Sequence, residues 1–516
     1  MKPYNIKITI LSCLLFTLLC ACEPVADGTG DGDPGTAAPS GAPPADVSAP
    51  PLVLKPGQRY NDVFCLAWAP EAAVHPALNV NRFNHDVYTL VYESLFTLDG
   101  SFEPVPALCR DFEANGGGTV FTFHLADGAA FHDGSPLTAA DVVNSFAMAR
   151  TASSPYAKRL SGVTDVRDSG GEAGEAVTVT LNAPNPRFPA LLTFPVTRKE
   201  SEGFPWDGTG PFRFAQDQDG VISLELYTAW WRRAAMPLGH IELCKLSGLD
   251  ELPYLLGVGD VSAVSNDPND SFGVGFKGDF AVWDYPTLIL QYIGVNAGHH
   301  LLGDSRMRRA LSAGIDRAAL CAKVYQSDAD PAALPIPPSN PLYRGGEPKP
   351  NSRLMTNLLT DMGMADENGG GFLQYPDGGV WRSFTLRFLV EEDDGTACDA
   401  VLMICGQLAD AGIDARYTPL PRAEFDAALK NGDYELYYAR ETVPADFDLN
   451  GWAAREGARV RDGAVAALNG SWEADMPAIP LLFRRQALIT RRSVADGVKP
   501  LFLRPFDNIP EWTIRK

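Results

Sequence analysis

Three features of the sequence predict an α/β fold with more than one core: a strand–turn–helix unit over residues 121–150, a strand–helix–strand order over 384–417, and an apolar content of 45% in 516 residues. In the first unit Phe121, Phe123 and Leu125 alternate with Thr122 and His124, the period-2 pattern of a sheet with one buried face. Asp127-Gly128 and Asp133-Gly134 then mark turns, because Gly accepts positive φ and Asp bonds its own backbone. Thr138 is placed to cap a helix, with Asp141 three residues on and Val142, Val143, Phe146 and Ala149 as the apolar stripe. In the second unit 384–390 alternates as a strand, and 398–411 is a helix with Val401, Ile404 and Leu408 inside. Gly412 stops that helix and 413–417 returns as a strand.

Before these units, the chain opens on Lys2, Lys7 and an apolar run over 8–20, the composition of a secretory leader and too short for a confident membrane span. Residues 23–51 are rich in Gly, Pro, Ala and Asp, with little that offsets the entropy of ordering a backbone, so a disordered tether is expected. Folded structure is expected from about Leu52, with a strand over 63–68 and a helix running into a strand over 87–96. A polar loop over 79–85, holding Arg82, Asn84 and His85, precedes that helix. Asn115-Gly116 supplies a hairpin turn, 177–181 is a further strand, and Gly208-Thr209-Gly210-Pro211 reads as a tight turn.

The glycines at 273, 275 and 278 have the spacing of a dinucleotide-binding loop, but no strand precedes them and no helix follows, so nucleotide binding is not the reading. Residues 287–296 form a strongly apolar strand suited to crossing between lobes, and Asp304 and Asp316 cap successive helices. His299-His300 reads as a solvated turn rather than a metal site. Net charge is −21, which argues against nucleic acid as a partner and fits a solvated acidic surface. Beyond the leader, Cys65, Cys109, Cys244, Cys321, Cys398 and Cys405 show no metal spacing, and free buried thiols are expected.

Specific residues add to the pattern. The run from Asp127 through Phe131-His132-Asp133-Gly134, Pro136, Thr138-Ala139, Asp141-Val142-Val143 and Ser145-Phe146 resembles the signature of the family 5 bacterial extracytoplasmic solute-binding proteins, although Ala126 stands where the family usually has Arg or Lys. VYESLF at 91–96, GTGPF at 208–212, YTAWWRRAAMPLGHIEL at 227–243 and RMRRALSAGIDRAALCAKVY at 306–325 are similar to further blocks of that family. MPAIPLLFRRQALITRR at 476–492 resembles the family's return to the first lobe. Leu19-Cys20-Ala21-Cys22 resembles a bacterial lipobox, which implies lipidation of Cys22.

The resemblance implies a two-lobed fold of the periplasmic-binding-protein type II kind, with mixed sheets and a hinge of crossing strands. It implies a leader over 1–21, the lipidated Cys22 and tether over 22–51, a first lobe over 52–290 with a 97–206 subdomain and completed by 486–516, and a second lobe over 291–485. Function follows as the substrate-binding lipoprotein of an ABC importer. Such a protein holds a small solute, here an oligopeptide or peptide-like ligand, between its lobes and delivers it to a membrane permease. It works as a lipid-anchored monomer on the outer face of the cytoplasmic membrane, without enzyme activity, cofactor or metal.

The loop over 79–85 lines the cleft in that family, and 431–449 supplies a carboxylate and aromatics to it. The implied ligand residues are therefore Arg82, Asn84, His85, Tyr438, Arg440, Glu441 and Asp446. The family's usual Trp and its Asp-x-x-Asp-Pro run are absent here, and 451–478 is shorter than its counterpart. Two other classes remain open: a membrane-tethered sensor with the same fold, and an exported hydrolase. The hydrolase would need a nucleophile beside a base, yet the sequence has neither a G-x-S-x-G elbow nor an H-E-x-x-H helix, and only seven His.

Overall fold

The computed structural model describes residues 63–514 except 172–174, 202, 247, 268–279, 347, 450–451 and 453–471. The leader, Cys22, the tether, the 273–278 glycine loop and most of 451–478 lie outside the described residues.

Two long antiparallel strands, Phe280–Val295 and Ala478–Arg491, organise the rest. The first begins half-exposed and from Leu290 to Val295 is buried at every position, so it runs from a sheet with one wet face into one covered on both. Only its apolar end stands out in the sequence, because Asp284 and Pro286 interrupt the beginning. The register of the pair breaks between Pro286 and Leu290. Pro286 has no N–H to give the ladder. Thr287 completes the bonding there: its Oγ1 donates to the Arg484 carbonyl at 2.6 Å and accepts from Ile289 N at 3.0 Å.

The break divides a mixed sheet of eleven strands among the described residues. On one side, residues 280–286 pair with 485–491. The sheet then continues through Ala263–Asn266, Cys65–Trp68, His240–Lys245, Ile222–Leu226 and Phe212–Gln216. On the other side 290–294 pairs with 478–483, and the sheet continues through Leu436–Thr442, Leu386–Glu391 and Ala415–Leu420. These outer strands include the expected β-α-β unit. Helix Gly395–Asp410 joins the parallel strands, its Asp394 cap accepts from Ala397 N at 3.0 Å, and Gly412 ends it at a φ of 81°. Helices Ser305–Gly314 and Arg317–Lys323 are tied to the returning long strand and to the residues leading into it by buried guanidinium groups. Arg308 Nε donates to Met476 O at 2.9 Å, and Arg317 Nε to Pro480 O at 2.8 Å.

A separate four-stranded antiparallel sheet, ordered Cys109–Ala114, Val120–Leu125, Ala176–Leu181 and Val163–Asp168, holds the motif stretch. Phe121 and Phe123 pack against Phe188 with ring centres 5.4 and 6.2 Å away. Helix Ala139–Ala149 starts where expected, with Asp141 Oδ2 accepting from Thr138 N at 3.0 Å. One start differs. The helix expected from 87 spans Arg82–Val91, because Asn81 Oδ1 accepts from both Phe83 N and Asn84 N at 3.0 and 3.1 Å and so caps it earlier. Arg82, Asn84 and His85 consequently stand in a helical first turn, not in a loop.

The motif blocks meet in space. Buried Glu93 accepts from Trp231 Nε1 at 2.8 Å and pairs with Arg232 at 3.2 Å. His132 clasps the Gly208–Gly210 turn: Gly208 N donates to Nδ1 at 3.3 Å, which leaves the ring proton on Nε2 to donate to Gly210 O at 3.1 Å. That turn runs so close to the end of the first helix that a Cβ on Gly208 would stand 2.1 Å from Val91 O, and one on Gly210 2.6 Å from Leu90 O. Burial pulls the His132 pKa down to about 4.

Two outcomes follow. Thr287→Val keeps the shape and removes the hydroxyl's bonds to the Arg484 carbonyl and from Ile289 N, so it lowers the unfolding free energy in urea by about 1–3 kcal/mol, while Thr287→Ser retains most of it. His132 gains protons only below about pH 4 when folded but near 6.5 when unfolded. Its contribution to stability is therefore complete above pH 6.5 and declines as pH falls toward 4. His75, whose pKa burial also lowers to about 4, acts in the same direction. His132→Gln makes the dependence of the urea midpoint on pH shallower in that window.

Candidate functional site

Beyond strand Leu436–Thr442, the chain turns through 443–447 toward the region of the four-stranded sheet, and a seam of polar side chains fills the approach. Val443 N donates to Leu288 O at 2.8 Å, which anchors the turn to the register break of the long strands. Asp446 is buried in the seam, where its carboxylate accepts from Asn185 Nδ2 at 2.7 Å and from Asp448 N at 3.1 Å. Burial outweighs those donors and pushes its pKa up. Arg187 reaches across the same seam. Its Nη1 donates to both Glu103 oxygens at 3.1 Å, its Nη2 to Ala445 O at 3.4 Å, and its guanidinium lies 5.1 Å from the centre of the Phe447 ring. Asn340 adds a further bridge, donating to Ser101 O at 2.6 Å and to Glu103 Oε1 at 3.0 Å.

Lys158, Arg159 and Tyr156 stand opposite. Lys158 Nζ approaches Glu441 Oε1 at 3.8 Å with its own side chain exposed, a weak pair. The Arg159 guanidinium lies 4.3 Å from the centre of the Tyr156 ring and within electrostatic reach of Asp446. Burial lowers the Arg159 pKa. Tyr156 also lines a recess of about 490 Å³, counted with its open mouth, whose wall includes His85, Tyr88, Thr193, Leu503 and Arg504. Thr193 Oγ1 is buried there with no hydrogen-bond partner among the described residues. Arg504 is held by Asp507 at 2.7 Å and by Thr89 O at 3.2 Å. Aromatic walls, paired cations and unfilled donors suit the binding of a small polar solute.

A second polar chain follows the long strands past their register break. Fully buried Arg484 pairs with Asp267, which accepts from Gln486 Nε2 at 3.4 Å, and Tyr285 donates to Gln486 Oε1 at 3.3 Å. Beside it Ser265 donates to Asp86. On the far side of the break the Tyr325 and Tyr438 hydroxyls meet at 2.6 Å, within electrostatic reach of Arg484. Among the described residues no group of three His, Cys, Asp or Glu is placed to hold a metal ion.

Of the residues expected at a ligand, Glu441 and Asp446 come together at the seam and His85 lines the recess. Arg82 is half-buried with its guanidinium over the Phe83 ring, and Arg440 is exposed. The other two have structural partners. Asn84 is fully buried, its amide donating to Ala69 O and accepting from Ala69 N, both at 2.9 Å. Tyr438 points into the core beyond the register break, bonded to Tyr325. Cys22 lies outside the described residues. Sequence reasoning missed Tyr156, Arg159, Asn185, Arg187, Thr193 and Arg504. All stand in turns or short irregular stretches without a period to mark them.

The relative stability that the raised Asp446 carboxyl contributes is fully present below its unfolded value near 3.8 and is lost as pH rises through its folded value. Asn185→Ala removes the amide that holds the ionised form. Urea denaturation is expected to show a loss of about 1–3 kcal/mol at pH 7 that shrinks toward pH 3.8.

Comparison with known proteins bears on the whole arrangement. The family model described as bacterial extracellular solute-binding proteins, family 5 Middle, matches residues 103–450. The glutathione-binding protein GsiB of Pectobacterium atrosepticum is 25% identical over 379 residues, which span 71% of this chain and 69% of the relative. Among solved structures, an ABC transporter substrate-binding protein from Sinorhizobium meliloti superposes with a TM-score of 0.68 at 16% identity, covering 88% of this chain and 99% of the other. The oligopeptide-binding protein AppA of Bacillus subtilis, solved with a nonapeptide, gives 0.53 at 18% identity, covering 90% and 100%. At these identities the structural likeness establishes the fold, that of the two-lobed type II periplasmic binding proteins with mixed sheets. With the model matched over more than half its length, the chain belongs to the bacterial extracellular solute-binding proteins of family 5.

Proposed function

We propose that this protein is the substrate-binding component of an ABC importer, capturing a small oligopeptide or peptide-like solute between two lobes and handing it to a membrane permease. The single observation that carries the reading is the register break at Pro286–Leu290, where among the described residues the two halves of the sheet are joined through the two long strands, beside a seam between the 443–448 turn and the region of the four-stranded sheet. Such a joint suits hinge closure, and a solute that contacts both sides shifts the population toward the closed form. The peptide-like class is supported by the names of two relatives, one binding glutathione and one an oligopeptide. The seam's mixture of carboxylates, guanidinium groups and aromatic rings matches the polar ends and side chains of such ligands.

In this reading residues 52–290 and 486–516 make one lobe and 291–485 the other, and Cys22 carries the lipid that anchors a monomer to the outer face of the cytoplasmic membrane. Glu441, Asp446, His85, Arg82 and Arg440 are the ligand-facing residues retained from the sequence. No cofactor takes part.

Thermal-shift screening of the purified protein against short peptides, nickel complexes, sugars and polyamines tests it. A ligand at a hundredfold excess over its Kd stabilises the folded state by about 2.7 kcal/mol, a plain rise in melting temperature. Peptides are expected to give that rise. A rise with sugars or polyamines alone would replace the solute class, and no rise with any class would remove the solute-capture reading.

A further inference from the structure

The arginines of the described structure are nearly all bonded where they are buried. Arg308 and Arg317 bind backbone carbonyls, Arg187 binds Glu103, and Arg484 binds Asp267. Arg159 is different. It is half-buried, its Nε is shut off from solvent, and none of its N–H groups meets a hydrogen-bond acceptor or an ion-pair partner among the described residues. Its guanidinium lies over the face of Tyr156, 4.3 Å from the ring centre. A guanidinium has five donors in a fixed fork that matches a carboxylate, and leaving them unfilled in a desolvated place is costly. Asp446 is within electrostatic reach but does not fill them: its carboxylate accepts from Asn185 and Asp448, and no hydrogen bond or ion pair joins it to Arg159. Arg159 therefore stands at the seam with its donor fork unfilled among the described residues, packed on Tyr156, which lines the recess.

We propose that Arg159 is the anion-binding residue of the solute site, taking a carboxylate of the solute into its fork while the Tyr156 ring holds the guanidinium plane in position. The assignment rests on the solute-binding reading above and narrows it to solutes that carry a carboxylate. Tyr156 is then a positioning residue, and Lys158, exposed and loosely paired with Glu441, is not the anchor.

The test uses di- and tripeptides with free C-terminal carboxylates beside the same peptides as carboxamides, titrated calorimetrically into the protein, Arg159→Gln and Arg159→Lys. Expected is roughly tenfold tighter binding of the acids by the native protein, from a charge-assisted hydrogen-bonded pair. Gln at 159 removes the preference and Lys keeps part of it. Equal binding of acids and amides by the native protein would overturn the proposal and leave the binding reading standing, as would an undiminished preference in Arg159→Gln.

A ligand-free readout covers the remaining case. A half-buried cation with unfilled donors, kept for binding, destabilises the free protein, so Arg159→Met raises its melting temperature by about 1–3 °C. If no peptide binds, the peptide-like reading fails and this measurement decides alone. A rise keeps Arg159 as a site residue awaiting another carboxylate, and a fall or a failure to fold makes it a structural residue and overturns the proposal.

Discussion

The structure depends on one covalent constraint, the missing N–H of Pro286 in the middle of a strand pair. Pro286 still pairs opposite Arg485 but brings no N–H; the register shifts just beyond it, and the Thr287 hydroxyl bonds neighbouring backbone groups. The register shift that results lets each long strand belong to two differently neighboured stretches of sheet. Everything beyond is arranged around that division. One side carries parallel pairing with Cys65–Trp68 and Ala263–Asn266, the other the β-α-β unit ending in Ala415–Leu420. At the joint a hydroxyl supplies two of the hydrogen bonds, one to the Arg484 carbonyl and one from Ile289 N.

Buried charge is handled by consistent means around the joint. Guanidinium groups bridge elements that are distant in sequence, as Arg317 does to Pro480 O and Arg187 to Ala445 O, and carboxylates accept from amides or indoles, as Glu93 does from Trp231. Each such bridge satisfies groups that would otherwise oppose burial, and removing one partner costs more than the pair contributes. Against that background the Arg159 guanidinium stands out, with none of its N–H groups bonded among the described residues.

The family's recurring motifs acquire physical reasons here. The His of the Phe131-His132-Asp133-Gly134 block is the clasp for the Gly208–Gly210 turn, and the two glycines are required because the first helix's last carbonyls occupy the space of a Cβ. Glu93 of the 91–96 block and Trp231 and Arg232 of the 227–243 block are partners. Arg308 and Arg317 lock their block to the returning strand. These motifs therefore mark contacts that hold the scaffold, which is why they identify the fold and leave the solute unnamed.

What the sequence by itself determined were the local decisions. The alternation of Phe121, Phe123 and Leu125, the capping box at Thr138, the caps Asp304 and Asp316 and the stop at Gly412 lie within a few residues of their partners, so period and turn chemistry suffice to read them. That Glu441 and Asp446 would stand out came only through likeness to a family; the structure sets both at the seam, beside Lys158 and Asn185. The tertiary structure alone decided the rest. Asn84 and Tyr438 have the chemistry of ligand residues, but Ala69 and Tyr325 reach them first. Asn185, 261 positions from Asp446, and Asn340, 239 positions from Ser101, become neighbours across the seam. No local pattern records such pairs, because a hydrogen bond depends on distance in space, and the chain sets that distance only when both halves of the sheet have folded about the joint at Pro286.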